Sequence, residues 1–292
     1  MLIGINLPQS ADPLPEVLWA RIRHLEIGQF TISSRVHHET IERMTADFPR
    51  ALVHVWPWIN ADTGPWPDQI LDYRPSPRDR TLGECLDSLR RSLPAAQVRW
   101  VGGYQLAVSE DSDVVTANRG QAGDSHSEAI EQYAGWWDIA VGEVSRQFPL
   151  IPAAVAPLSQ GSPELEWRWL RALKILGCYD RANYLADHNR FLDRPFADRA
   201  WGGRGVALRE LLPELGPVHN LETHDGGCLK NSDVRGRAAV YARYLQWCAA
   251  SGSYATVSMF EPGHNLSDDQ DPPWCFLTPA ILQANAEMTE SD

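Results

Sequence analysis

Short apolar runs alternate with longer amphipathic segments along the whole chain. The runs predict eight β-strands, at Leu2–Leu7, Ile27–Ile32, Ala51–Trp56, Tyr104–Val108, Ile151–Leu158, Tyr179–Leu185, Val218–Leu221 and Thr256–Phe260. The segments between them repeat apolar residues with a helical period and predict helices at Pro15–Leu25, Thr40–Phe48, Thr81–Leu93, Ser127–Phe148, Glu164–Leu176, Ala207–Leu215, Asp233–Ser251 and Thr278–Met288. Strands that alternate strictly with helices form a parallel sheet with right-handed crossovers, and eight such units are enough to close a barrel.

The pattern predicts an α/β fold in which residues 1–292 form a single (β/α)8 TIM barrel domain. No glycine- or serine-rich linker divides the chain. The longest irregular segments follow strands, where a barrel carries the loops of its catalytic face, and these loops are predicted at about 60–80, 111–126, 188–206 and 261–277. Within the third loop, the glycine-rich segment Gly202-Gly203-Arg204-Gly205 follows no buried strand closely and predicts a mobile loop rather than a phosphate site.

The fourth strand has two alternative arrangements, because Gly102-Gly103 separates Val98–Val101 from Tyr104–Val108. The two runs form either one long strand with a bulge at the glycines or a hairpin. The choice decides which residue reaches the mouth of the barrel, and both arrangements stay open at the level of the sequence.

Composition and charge exclude several classes of function. The chain is 43% hydrophobic and 22% charged, which is typical of a globular protein, and its net charge of −12 without a basic stripe argues against nucleic-acid binding. No apolar run approaches the roughly 18 residues of a membrane span, and the N-terminus lacks a signal-peptide pattern, so we expect a cytoplasmic protein. A protein released by lysis or carried on a virion would look the same. The five cysteines, which form no CxxC pair, predict reduced thiols.

The most informative segment is the seventh predicted strand, which runs directly into a carboxylate, Glu222, and a glycine turn at Gly226-Gly227. A buried parallel strand that ends in a glutamate places this carboxylate at the mouth of the sheet, where α/β proteins carry their chemistry. Glu110 follows the fourth predicted strand in the same way. Two carboxyl groups that converge across the mouth are what glycosidic bond hydrolysis requires, with a separation of about 5 Å in retaining enzymes.

The order of the strands and these two segments resemble clan A glycoside hydrolases, which are retaining (β/α)8-barrel enzymes. The segment Leu221-Glu222-Thr223-His224-Asp225-Gly226 is similar to the end of their seventh strand, and Val108-Ser109-Glu110-Asp111 takes the place of their Asn-Glu-Pro motif. The resemblance implies a retaining glycosidase acting on a β-linked glycan, an oligo- or polysaccharide. It makes Glu222 the nucleophile and Glu110 the acid/base.

The fourth-strand segment departs from the family, since Ser109 stands at the Asn position and Asp111 at the Pro position. In the other register, Gly103-Tyr104-Gln105-Leu106 occupies this place and puts Gln105 where the acid/base belongs. A glutamine cannot donate a proton as an acid. The alternative function is therefore a catalytically degenerate barrel with a glycan-binding or structural role in an assembly.

The chain is rich in aromatic residues that suit carbohydrate, with 12 tryptophans. Indole rings pack on the C–H faces of pyranose rings, while amides, imidazoles and acids bind the hydroxyl groups. The predicted substrate-binding residues lie at strand ends or in the loops that follow: Asn6, His54, Trp56, Trp58, Asn183, Trp201, His224, Glu261 and Trp274. His37-His38 and His264 with Asp268-Asp269 offer ligand atoms, but no HxH or HExxH spacing occurs, so we expect no metal and no cofactor. The sequence does not indicate an oligomeric state.

Overall fold

A computed structural model describes residues 1–7, 13–25, 27–33, 36–56, 71–72, 80–92, 101–105, 125–148, 153–155, 171–177, 180, 182, 184–190, 195–199, 201–224 and 234–259. The strands form a closed parallel barrel in the order of the sequence, with the first strand also pairing with the eighth. They are β1 (Leu2–Asn6), β2 (Gln29–Ser33), β3 (Leu52–Trp56), β4 (Val101–Gln105), β5 (Ala153–Val155), β6 (Tyr184–Arg190), β7 (Val218–His224) and β8 (Tyr254–Met259).

Helices connect the strands. They are α1 (Glu16–Arg23), α2 (His38–Asp47), α3 (Leu82–Ser92), α4 (Ser125–Gln147), α5 (Arg204–Leu211) and α6 (Val234–Ser251), with a short 3-10 helix at Pro213–Leu215. Residues 171–175 are also helical and belong to the connection between β5 and β6. The prediction of an α/β fold with a parallel sheet is confirmed. The helix predicted at Thr278–Met288 lies outside the described residues, so the complete (β/α)8 repeat stays a prediction.

The fourth strand is one continuous strand that runs through both glycines and pairs in parallel with β3 and β5. The hairpin alternative is therefore wrong. Pairing with β3 shifts register between Val53 and His54, which is the irregularity expected where glycines remove side chains from a strand. The predicted range Tyr104–Val108 begins three residues late, because β4 starts at Val101.

The sixth strand begins at Tyr184, so the predicted range Tyr179–Leu185 is wrong. The strand continues through Asp187 and Asn189, which are both buried, to Arg190. Polar residues at these positions are typical of a loop, which is why the loop predicted at 188–206 includes the end of β6 and the start of α5. The burial of both side chains has a specific cause, given below.

The apolar core fills the layer between the strands and the helices. Trp19 of α1, Phe30 of β2 and Phe48 after α2 pack with ring centroids 5.1 to 6.5 Å apart. The start of α3 is fixed by a reciprocal cap, in which the Glu84 amide donates to the Thr81 hydroxyl and the Thr81 amide donates to the Glu84 carboxylate.

In the described part of the chain, no helix has the length and apolar character needed to cross a bilayer. Cys85 and Cys248 are buried free thiols.

Candidate functional site

The interior of the barrel is lined by polar side chains. Contacts between strands that do not pair identify this inner face, since only side chains inside the barrel can reach across it. Gln29 Nε2 of β2 donates to the Asn220 carbonyl of β7 at 3.1 Å, and Thr31 Oγ1 of β2 donates to Ser258 Oγ of β8 at 3.3 Å. All four residues are buried. The inner face is therefore a hydrogen-bonded surface instead of an aliphatic core.

His54, Tyr184 and His219 form an aromatic layer that crosses the barrel from β3 to β6 and β7. His54 Nδ1 and the Tyr184 hydroxyl lie 2.9 Å apart, and the His54 and His219 ring centroids lie 5.2 Å apart. The Tyr184 ring packs edge-on against His219, at 4.8 Å between centroids. We call these three residues the histidine layer. It closes the interior beneath the carboxyl ends of the strands.

Both histidines of this layer are neutral at pH 7. Burial lowers the pKa of His54 well below its ordinary value, and the neighbouring His219 lowers it further. Burial also lowers the pKa of His219 to about 4. A neutral imidazole has one donor and one acceptor nitrogen. The layer can therefore exchange hydrogen bonds with a bound hydroxyl group without introducing charge into the barrel.

Besides Gln29 Oε1 of β2, two buried polar atoms near this layer have no hydrogen-bond partner among the described residues. They are Nδ2 of Asn6, the last residue of β1, and Nε2 of His54. The register aligns Asn6 with Thr31 and Thr31 with His54, so the three side chains form a row on the inner face. A buried polar atom without a partner costs free energy, which a ligand hydroxyl or an ordered water removes by hydrogen bonding. The row is thus a candidate binding surface for polyhydroxylated ligands.

Glu222 lies within β7, two residues before the strand ends at His224. Its Cα partner is His188 of β6, immediately after a register shift between Asp187 and His188. The strand is longer than the predicted Val218–Leu221, so the backbone of Glu222 belongs to the sheet and lies near its carboxyl end. The role of the Glu222 carboxylate as nucleophile stays a prediction.

Glu110 lies outside the described residues. β4 ends at Gln105, which pairs with Ala154 of β5. Gln105 is the last described residue of the fourth strand, and Glu110 follows it by five positions in the sequence. Which of the two residues serves as acid/base stays a prediction.

The remaining predicted substrate-binding residues divide into two groups. Asn6 ends β1, His54 lies in the middle of β3, Trp56 ends β3, Trp201 is half-buried between β6 and α5, and His224 ends β7. Trp58, Asn183, Glu261 and Trp274 lie outside the described residues. Asn183 immediately precedes the first residue of β6, so the shifted start of this strand removes the basis for placing it at a carboxyl end.

The sequence analysis missed a buried ion pair on the outer face of the barrel. Arg204 Nε of α5 lies 2.9 Å from Asp187 Oδ1 of β6, and both side chains are almost completely inaccessible to solvent. The segment Gly202-Gly203-Arg204-Gly205 is buried around this pair. The prediction of a mobile loop there is wrong, because a Cβ atom on Gly205 would collide with the ring of Tyr254, so the glycine permits close packing.

Tyr184 and His219 were also missed as interior residues. Each belongs to a strand, but the contacts that both make with His54 of β3 depend on the closure of the barrel, for which a local pattern gives no signal. Among the described residues, His37, His38 and Glu39 bring three potential ligand atoms within 4.8 Å of one another. His37 Nδ1 already accepts a hydrogen bond from the Glu39 amide and caps α2. The predicted ligands His264, Asp268 and Asp269 lie outside the described residues.

Neither a protein-family model nor a curated protein sequence matches this chain. Solved structures do match it. Native xylanase 10B from Thermotoga maritima superposes with a TM-score of 0.54 at 14% identity, covering 100% of this chain and 97% of the xylanase. The GH53 catalytic domain from Ignisphaera aggregans gives a TM-score of 0.54 at 10% identity, covering 97% of this chain and 95% of that domain.

A trimodular GH5_4 endoglucanase gives a TM-score of 0.50 at 12% identity; the match covers 96% of this chain but only 60% of the endoglucanase. The chain thus spans less than two thirds of that enzyme. At this level of identity the similarity shows the fold alone. The resemblance to clan A glycoside hydrolases that the sequence indicates is confirmed at the level of the fold.

Proposed function

We propose that this protein is a retaining glycoside hydrolase that binds a β-linked glycan at the carboxyl face of its barrel. The observation that carries the proposal is the place of Glu222 in β7, near the carboxyl end of the strand, within a fold shared with glycoside hydrolases. The eighth helix predicted after β8 would complete the (β/α)8 repeat around this site.

Glu222 acts as the nucleophile and Glu110 as the acid/base. The Glu222 carboxylate attacks the anomeric carbon while the Glu110 carboxyl donates its proton to the leaving oxygen, so that the glycosidic C–O bond breaks as a glycosyl ester forms. Glu110 then removes a proton from water, and the hydroxide displaces Glu222 with a second inversion. Two inversions give net retention.

The polar interior supports a glycan as the ligand. Asn6 Nδ2 and His54 Nε2 are buried polar atoms without partners among the described residues, and they lie on the inner face that leads to the mouth. Trp201 lies in the segment that follows the carboxyl end of β6 and offers an indole ring for stacking on a pyranose. The hydroxyl groups of a sugar would form hydrogen bonds with the polar atoms, and its C–H face would stack on the indole ring.

A second function is favoured by one observation, the place of Gln105 within the parallel strand β4, where it pairs with Ala154 of β5. If Gln105 stands at the position on the fourth strand where retaining glycosidases have their acid/base, the barrel lacks a proton donor there. It then binds glycan without hydrolysing it. Such a protein would act as a glycan-binding or assembly component.

Turnover of a panel of aryl β-glycosides by the wild type, Glu222→Ala, Glu110→Gln and Gln105→Ala distinguishes the two functions. The hydrolase predicts that Glu222→Ala abolishes turnover and that azide restores it as a glycosyl azide of inverted configuration. Glu110→Gln should reduce kcat by about 10²- to 10⁴-fold on substrates with poor leaving groups, whereas Gln105→Ala should leave a larger residual activity. Glycan binding by a wild type that turns over none of these substrates would overturn hydrolysis and support the second function.

A further inference from the structure

The carbonyl oxygen of Gly202 is held by two buried tyrosines. It accepts a hydrogen bond from the Tyr244 hydroxyl of α6 at 2.8 Å and another from the Tyr254 hydroxyl of β8 at 3.1 Å. Burial raises the pKa of both phenols well above the ordinary value, so both keep the proton that they donate. Because a carbonyl oxygen has two lone pairs, the two phenols occupy both of its acceptor positions, and a third donor, Asn189 Nδ2, lies at the longer distance of 3.4 Å.

Asn189 of β6 completes this arrangement. Its Nδ2 atom donates to the Tyr244 hydroxyl at 2.9 Å and to the Tyr254 hydroxyl at 3.0 Å. The two amide hydrogens therefore go to the two phenols, and the two phenolic hydrogens go to one carbonyl. We call the side chains of Asn189, Tyr244 and Tyr254 with the Gly202 carbonyl the Gly202 anchor.

The anchor lies beside the buried ion pair of Asp187 and Arg204. Arg204 is the first residue of α5, and Asp187 precedes Asn189 on the same face of β6. The amide of Gly205 donates to the Tyr254 hydroxyl at 3.1 Å, which joins the two groups. Buried ion pairs contribute little net stability compared with well-packed apolar residues, and their best-attested effect is to specify one arrangement. The arrangement specified here is the position of residues 201–205 against β6.

Trp201 immediately precedes the anchored carbonyl. Its amide donates to the Asp198 carbonyl at 3.0 Å, and its own carbonyl accepts from the Arg204 amide at 3.2 Å. The Gly203 amide also donates to Asp198, at 2.8 Å. Trp201 thus sits in a chain of tight turns that the anchor and the ion pair hold on the carboxyl side of β6.

We propose that the Gly202 anchor positions Trp201 at the mouth of the barrel as a stacking platform for glycan. Tyr244, Tyr254 and Asn189 are positioning residues, which act on the ligand through Trp201 and do not touch it. The inference deepens the proposed function and rests on it for the identity of the ligand. The anchoring itself is independent of whether the protein hydrolyses anything.

Amide hydrogen exchange of the full chain tests the anchoring. In the Tyr244→Phe/Tyr254→Phe double variant, the Gly202 carbonyl loses both donors, and we expect exchange in residues 198–205 to rise about tenfold or more relative to wild type. Tyr241→Phe is the control, because Tyr241 is an equally buried tyrosine of α6 that is not a member of the Gly202 anchor as defined above. An unchanged segment, or an equal rise in the strands β1 to β3, would overturn the anchor as a local device.

Glycan affinity tests the positioning, with cellohexaose and xylohexaose as probes in calorimetric titrations. We expect the anchor double variant and Trp201→Ala each to weaken binding about tenfold, and the combined variant to be no weaker than Trp201→Ala alone, since the anchor acts through Trp201. Additive losses would overturn the positioning role. If neither oligosaccharide binds the wild type, the glycan-binding function and the platform both fail, while the exchange result still decides the anchor.

Discussion

The two faces of the barrel wall use polar residues in opposite ways. On the inner face, polar side chains line most of the described strands, and two of the buried atoms, Asn6 Nδ2 and His54 Nε2, lack partners in the described structure. On the outer face, the largely apolar core of the described residues contains a network around Asp187 and Arg204, in which the phenolic and side-chain amide hydrogens have acceptors while Asn189 Oδ1 lacks a hydrogen-bond partner. The inner face is therefore suited to receive a ligand. The outer network is suited to hold the backbone in place.

Removing one charge of the outer ion pair tests this contrast with the largest expected effect. Asp187→Leu leaves the Arg204 guanidinium buried without its counter-ion and should lower the free energy of unfolding by about 3–5 kcal/mol. The double variant Asp187→Leu/Arg204→Met should lose less unfolding free energy than Asp187→Leu alone, because no unpaired charge stays buried. Urea unfolding measures both. Glu210→Gln is the control, because it breaks the Arg199–Glu210 pair, whose side chains are 58% and 60% exposed, and should cost less than about 1 kcal/mol. Equal losses in Asp187→Leu and the control would contradict the assignment.

The histidine layer gives the inner face a pH dependence through two buried neutral imidazoles. The folded pKa values of both histidines are lowered, so below pH 6.5 the unfolded chain binds more protons than the folded one, and stability falls as the pH decreases. For His219 the window runs from 6.5 to about 4, and the loss amounts to about 3 kcal/mol across it. Urea unfolding at stepped pH measures the slope. The account would be contradicted if the unfolding free energy of His219→Gln fell with pH as steeply as that of the wild type between pH 6.5 and about 4.

Substitution of Gly205, the second residue of α5, tests how tightly the outer network is packed. Gly205→Ala forces a Cβ atom into the Tyr254 ring and should cost about 2 kcal/mol of unfolding free energy. The matched control is Gly135→Ala in α4, where a Cβ atom meets nothing within 4 Å and where alanine should stabilise the helix by up to about 1 kcal/mol. Thermal unfolding of the two variants should shift in opposite directions. Shifts of the same sign would show that the packing at Gly205 tolerates a side chain.

The smallest expected effect comes from a single hydroxyl on the inner face. Tyr184→Phe removes the hydrogen bond to His54 Nδ1 and should lower the free energy of unfolding by about 1 kcal/mol, which is the usual net contribution of one uncharged hydrogen bond. The proton resonances of the His54 ring in NMR spectra should shift as well. A loss as large as that of Asp187→Leu would mean that the two faces do not differ as described.

The strand order and the place of Glu222 could be predicted from the sequence, because apolar runs with helices between them leave few topologies. β6 could not be placed correctly. Its outer face carries Asp187 and Asn189, whose burial depends on Arg204, Tyr244 and Tyr254 from other elements. A local pattern contains no information about such partners, so the polar residues indicated a loop.

The candidate site also contains residues that could be predicted from the sequence and residues that could not. Asn6 and His54 could be proposed because each belongs to a predicted strand, and the ends of parallel strands share one edge of the sheet. Tyr184 and His219 could not, because their contacts with His54 cross the closed barrel between strands far apart in sequence. The glycines before and after Arg204 indicated mobility, whereas Gly205 permits the close approach of the Tyr254 ring and Gly203 that of the Ala197 carbonyl.

The most direct test of the proposed hydrolysis is a trapping experiment with activated 2-deoxy-2-fluoro-β-glycosides, followed by mass spectrometry of the digested protein. Fluorine at the 2-position slows breakdown of the covalent intermediate that a retaining glycosidase forms. We predict a glycosyl adduct on the peptide that contains Glu222, absent in Glu222→Gln. Tight binding of glycan without an adduct from any of these reagents would contradict hydrolysis and leave a barrel that binds glycan only.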